Sequence, residues 1–327
     1  MNKKLDLALK CFQKDLDDLK NELLKVNYNG ELYYHYTSFE NFNKIITSGE
    51  LFFSDFSCLN DPQEILFGHN FLSNILKRSL TKKNDQFWEA FCTSFQNIIT
   101  NSNHTKKLFG NFDDSQSIYA IFLASFSELE DHLPLWRYYG EGGRGFAIGF
   151  KFKQDGIPPL ISGKINYYNL SNEETPYETF IEKAINETDC FIKKYEKILK
   201  TTDELVEVQI RFLSMLASEL PRIKNEDYSS EIESRLIFLI TNKADIPDTQ
   251  LHRESLPNEN NNFVKDELIL TQKIFRKWRF DKNEIKEIIL GPSNDFEKTK
   301  IFVKDLLEKH GYNPYNIDIK LSEKSYR

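Results

Sequence analysis

The chain has 327 residues, a formal net charge of −7 and 40% hydrophobic residues, enough to bury a full core without disulfide or metal staples. That acidic balance excludes a bulk polyanion binder, so nucleic acid would have to meet a local basic patch. No apolar run is long enough to span a bilayer, the N-terminal residues lack a signal-peptide core, and Cys11, Cys58, Cys92 and Cys190 form no CxxC pair, so a soluble protein of the reducing cytoplasm, without membrane or metal, is expected.

Residues 4–26 carry Leu5, Leu9, Phe12, Leu16 and Leu23 at helical spacing and predict an amphipathic N-terminal helix packed on the core. Residues 32–37 are short, aromatic and β-prone, a strand; Ser38 caps a helix over 39–48 that Gly49 closes. A strand over 51–54 leads to the turn chemistry of Asn60-Asp61-Pro62, and helix dominates to about residue 110. Residues 118–127 read as a buried strand, 136–139 as a short helix or turn, 140–145 as a loop, and 146–152 and 161–168 as strands. A mostly helical stretch over 172–218 follows, then strands over 235–240, 267–275 and 285–290, a helix over 298–309 and a last strand over 317–321. The fold class is mixed α/β (α+β): one domain over 31–327, with helical insertions at about 65–110 and 172–220.

Four polar clusters stand at strand ends, where loops commonly hold function. In His35-Tyr36-Thr37 an imidazole N–H and a hydroxyl can meet a ribose or an amide; the plainer alternative is a buried histidine bonded to backbone. Asn60, Asp61 and Glu64 either cap a helix or close one wall of a pocket. Ser125 and Ser127 point to one side of a strand and leave room for a ligand, followed by Asp131, residues 136–139 and a glycine-rich stretch that is not a phosphate loop. Strand spacing puts Glu231, Glu233 and Arg235 on one face, as an acid–base pair or as a salt-bridged edge. Lys273, Arg276, Lys277 and Arg279 interleave with Phe275, Trp278 and Phe280 as the chain's basic–aromatic patch at 273–280, a candidate nucleic-acid contact or a solvated strand end.

A histidine, a paired serine and Glu-x-Glu, in that order and each on a strand, resemble the ADP-ribosyltransferase fold. The run from His35 through Phe42, Ile45-Ile46 and Gly49-Glu50-Leu51 is similar to the opening of the DNA thymidine ADP-ribosyltransferase toxins. The whole set is more closely similar to a widespread bacterial family of uncharacterised proteins. Its landmarks stand here at residues 35–37, 59–62 with Glu64, 125–127 with Asp131, 136–140, 143–150, 231–235 and 290–292; Ser234 takes a position where that family commonly has Trp. The resemblance implies a split mixed sheet and NAD as substrate. It implies Glu233 as catalytic carboxylate and Glu231 orienting ribose or acceptor. His35, Tyr36, Thr37, Ser125, Ser127, Asn60, Asp61, Tyr138 and Arg235 would surround the dinucleotide. An effector in phage defence or a toxin system is the implied setting, with a macromolecular acceptor, nucleic acid or protein, that the resemblance does not identify. A non-catalytic nucleotide- or protein-binding module, and an RNA-processing enzyme using His35, are the alternatives on the same residues.

Overall fold

The computed structural model describes residues 3–24, 31–55, 63–81, 83, 85–100, 120–152, 160–170, 175–240, 248–255 and 272–325. Helices and a mixed sheet make it an α+β fold. Its contacts divide the chain into two compact units, each assembled from separated segments.

The first unit comprises Met1–Asn27, Asp61–Gly110 and Gly163–Tyr228. It holds α1 (Lys3–Leu24), α3 (Gln63–Leu80), α4 (Gln86–Thr100), α6 (Pro176–Tyr195) and α7 (Thr202–Glu219), with a parallel pair of β6 (Asn166–Tyr168) and β7 (Ile223–Asn225). The apolar stripe of α1 buries Leu5, Leu9, Phe12 and Leu16, and Phe12 stacks on Phe191 of α6 at 4.5 Å. The predicted helical stretch over 172–218 is two helices, because Thr201 and Glu204 form a capping box that starts α7 afresh. The predicted strand over 161–168 is likewise two, β5 (Leu160–Lys164) and β6, which join different sheets.

The second unit comprises Tyr28–Asn60, Asn111–Ser162 and Ser229–Arg327. Its strands are β1 (Tyr33–Thr37), β2 (Glu50–Asp55), β3 (Ala120–Ser127), β4 (Phe146–Phe150), β8 (Glu233–Ile240), β9 (Leu251–Ser255), β10 (Gln272–Arg279), β11 (Ile285–Leu290) and β12 (Asp318–Leu321). The helices are α2 (Phe39–Ser48), α5 (Leu133–Tyr138) and α8 (Phe296–Lys309). The strand order is β12-β11-β4-β1-β3-β2-β10-β9, with β8 on β3 and β5 on β8. The pairs β1–β3, β1–β4, β2–β3, β2–β10, β9–β10, β4–β11 and β3–β8 are antiparallel and β11–β12 is parallel.

One face of this sheet carries the large core: Tyr33, Phe126, Phe150 and Phe238, with Phe42 and Ile46 of α2 and Val303 and Leu307 of α8. The other carries a smaller core of Tyr34, Tyr36, Leu135, Trp136, Ala147 and Ile289. Burying one such aromatic or branched side chain contributes about 1.5–3 kcal/mol. Strict alternation in β1 therefore commits Tyr33, His35 and Thr37 to one face and Tyr34 and Tyr36 to the other. Helix α2 has the predicted bounds: Ser38 accepts from the Asn41 N–H at 3.2 Å, and Gly49, at φ 67°, ends it in the left-handed region.

Candidate functional site

The candidate site is built where the sheet splits. Along one edge β3 pairs with β8 over its whole length. Along the other, β1 reaches it only at Tyr34 opposite Ser127, and β2 only at Ser54 and Asp55 opposite Leu123 and Phe122. Positions 124–126 of β3 thus face the gap between β1 and β2. The His35 ring fills this gap. Its Nδ1 lies 3.1 Å from the Ser125 carbonyl and its ring 5.6 Å from Phe126. A carbonyl only accepts, so Nδ1 carries the hydrogen and Nε2 is the free acceptor of the neutral ring. Burial holds the imidazole below its usual 6.5, opposed by the Ser125 bond. The expected ring N–H donor is therefore spent on backbone, and the group His35 presents is an acceptor.

On the other edge of β3, Ser125 lies opposite Arg235 and Ser127 opposite Glu233. Directly opposed residues share a face, so Tyr34, Ser127 and Glu233 stand on one side, with Ser125 and Arg235 beside them. Arg235 and Glu233 form a two-pronged ion pair, Nε to Oε1 at 2.7 Å and Nη2 to Oε2 at 3.1 Å. Both are buried, at 3% and 7% exposure. Ser125 is the exposed member of the group, and its hydroxyl makes no hydrogen bond among the described residues. Ser127 is buried and serves the backbone: its Oγ donates to the Glu231 carbonyl at 2.9 Å and accepts from the Leu129 N–H at 3.1 Å.

Glu231 departs from the predicted strand face. It ends a 3-10 turn, Glu226–Glu231, and Ile232 takes φ 41°, so the period-two count starts only at Glu233. A β-branched residue in the left-handed region is strained. The turn is held by Ser127 and by a hydrogen bond that the Glu128 N–H donates to the Ile232 carbonyl at 3.3 Å. The Glu231 carboxylate accepts from the Tyr139 hydroxyl at 3.1 Å. Nearby, Ser234 donates to Glu128 at 3.1 Å on the opposite face.

Several predicted cofactor contacts have other partners. Tyr36 is buried; its hydroxyl donates to the Leu129 carbonyl at 2.9 Å and accepts from the His132 N–H at 3.1 Å, and burial pushes its phenol well up. Thr37 is buried on the large-core face. Tyr138 is 78% exposed and makes none of the site's hydrogen bonds, whereas Tyr139 reaches Glu231. Tyr139 lies three residues after the buried Trp136, a helical spacing that could have singled it out. Asn60 and Asp61 lie outside the described residues. Glu64 belongs to the first unit, where it lies 3.9 Å from Lys224. Asp131 is structural, accepting from Trp136 Nε1 at 2.6 Å, Ser322 Oγ at 2.7 Å and the Glu323 N–H at 2.8 Å.

The glycine-rich stretch is pinned rather than a free hairpin loop. Gly291 and Ser293 donate to the carbonyls of Gly145 and Gly143 at 3.0 and 2.9 Å. A Cβ on Gly145 would lie 2.1 Å from the Thr37 carbonyl oxygen, so only glycine fits there. The Glu141 carboxylate accepts from the Phe39 N–H at 3.0 Å, at the start of α2.

Among the described residues no group of three His, Cys, Asp or Glu is placed to hold a metal ion, and no helix is long and apolar enough to cross a membrane. A family model described as a protein of unknown function, DUF2971, matches residues 135–236. That stretch begins in α5 and ends just after Arg235. No curated protein and no solved structure matches the chain.

Proposed function

We propose that this chain is an ADP-ribosyltransferase-like domain that takes NAD⁺ as substrate on the face of β3 and β8, acting in the cytoplasm as an effector of phage defence or of a toxin system. The observation that carries this reading is the cross-strand set of Ser125, Ser127, Glu233 and Arg235, beside a split that His35 fills.

In this chemistry the bond between ribose C1′ and the nicotinamide nitrogen breaks. Its electron pair leaves with neutral nicotinamide, and positive charge develops on the ribose. Glu233 stabilises that charge, and Arg235 fixes the carboxylate's orientation through its two-pronged contact. Ser125 is the exposed hydroxyl that meets the ribose. His35 starts on the other face by strand alternation and acts indirectly, its bond to the Ser125 carbonyl holding β3 beside the split. Glu231, held by Tyr139, receives the proton of the attacking acceptor. Tyr36 and Thr37 support the strand.

A second reading, a nucleotide-binding module without catalysis, is favoured by one observation: both oxygens of Glu233 are engaged by Arg235. Nicotinamide release, followed by mass spectrometry with and without DNA, RNA and cell lysate, separates the two. The enzyme reading expects release by the wild type and a kcat about 10²–10³-fold lower in Glu233→Gln, with NAD⁺ affinity retained. Binding without release identifies the module.

A further inference from the structure

The predicted basic–aromatic patch divides across the sheet. In β10, Phe275 lies opposite Ser54 of β2 and His252 of β9, and Lys277 lies opposite Phe52. Lys273, Phe275, Lys277 and Arg279 therefore share a face with Phe52 and His252. The alternate residues turn inward. Ile274 is buried in the large core, Trp278 packs against it, and Arg276 lies 3.9 Å over the Phe238 ring, where burial lowers its pKa. Phe280, just beyond the strand, is also buried.

The outward face carries three rings in mutual contact. Phe52 and His252 are 4.9 Å apart, Phe52 and Phe275 5.9 Å, and His252 and Phe275 6.1 Å. Phe52 is 40% exposed, at a strand position that alternation turns away from the core. Around the rings stand Lys273, Lys277 and Arg279, none of which forms an ion pair among the described residues. Two carboxylates share the face: Glu254, directly opposite Lys273 and 3.2 Å from His252, and Glu50, directly opposite Arg279, which leaves Lys277 as the cation with no acid across from it.

We infer that this face of β2, β10 and β9 is a binding surface for single-stranded nucleic acid. Exposed rings on a sheet offer stacking platforms to unpaired bases, and the flanking cations follow the phosphates. A duplex keeps its base faces buried in its own stack, so the rings select single strands. On a chain of net charge −7, cations interleaved with rings are the local complement a polyanion needs. This inference does not rest on the NAD⁺ reading.

The test is fluorescence anisotropy of end-labelled single-stranded DNA and RNA, and of the corresponding duplexes, titrated with the full chain over a range of salt. The surface predicts single strands bound more tightly than duplexes. Phe52→Ala and Phe275→Ala each weaken binding roughly 5- to 100-fold, while Phe275→Tyr, which keeps the ring, retains it. Lys277→Gln flattens the salt dependence by about 0.7 of a logarithmic slope. Absence of single-strand binding at low salt, equal affinity for duplex, or unchanged affinity in the folded variants Phe52→Ala and Lys277→Gln would overturn the inference.

Discussion

Arg235→Ala leaves the Glu233 carboxylate buried at 7% exposure without its two-pronged partner. Removing one member of a buried pair costs about 3–5 kcal/mol, because the remaining charge has lost both water and counter-ion. A surface pair would cost at most about 1 kcal/mol, so the two cases are separable. At 2–4 °C per kcal/mol for a domain of this size, the melting temperature falls by about 10 °C. Trp136 and Trp278 both lie in the second unit, and Trp88, the third tryptophan, in the first. Urea unfolding followed by tryptophan fluorescence in a Trp88→Phe background thus reports on the unit that holds the pair. The companion variant carries Arg235→Ala and Glu233→Gln together. With the charge gone it should be more stable than Arg235→Ala alone, the sign of coupling that a charge-based penalty requires. A loss below about 1 kcal/mol in Arg235→Ala, or a double variant no more stable than the single one, refutes the reasoning.

The other expectations concern acid stability and the strained turn. His69 is buried in α3 against Phe95 of α4, with its Nε2 2.9 Å from the Phe95 carbonyl, and burial holds its pKa down to about 4. The unfolded chain takes up that proton first as pH falls below about 6.5. Its contribution, at most about 3 kcal/mol, is therefore complete above that pH and is lost as pH falls toward the folded value of about 4. His69→Gln should flatten urea stability against pH across this window; an unchanged slope contradicts the assignment. Ile232 is 42% exposed at φ 41°, so Ile232→Gly should stabilise the fold by roughly 0.5–1 kcal/mol, the relief of left-handed strain exceeding the added chain entropy. Destabilisation in chemical unfolding would show that the turn is unstrained.

Local order was legible in the residues. Ser38, the apolar spacing of Phe42, Ile45 and Ile46, and Gly49 fix α2 through interactions spanning one or two turns. The residues of the cross-strand set stand out in the sequence as polar positions on strands, but their arrangement does not, and Tyr139 is not among them. Ser127 meets Glu233 across a sequence separation that no periodicity reports, and the register decides which face each takes. Alternation alone already separates His35 from Tyr34 and Tyr36, yet only the gap beside β3 shows why its ring ends on the Ser125 carbonyl. The left-handed turn at Ile232 has no glycine or asparagine to announce it, so Glu231 reads as strand until the backbone is seen. The pattern at 273–280 did contain its own resolution: taking every second residue sorts Lys273, Phe275, Lys277 and Arg279 outward and Ile274, Arg276 and Trp278 inward. β7 is too short at three residues to carry a pattern, and β9, Leu251-His252-Arg253-Glu254-Ser255, lacks the apolar alternation that marks β1 and β4.

Calorimetric titration of NAD⁺ into the wild type, Glu233→Gln and Ser125→Trp tests the proposed site most directly. Ser125 is the exposed residue of the cross-strand set, so a tryptophan there fills the approach to Glu233 and Arg235 while leaving the buried pair intact. Binding by the wild type, near-equal binding by Glu233→Gln and none by a folded Ser125→Trp are expected. Absence of binding by the wild type, or equal binding by Ser125→Trp, would contradict the proposed site.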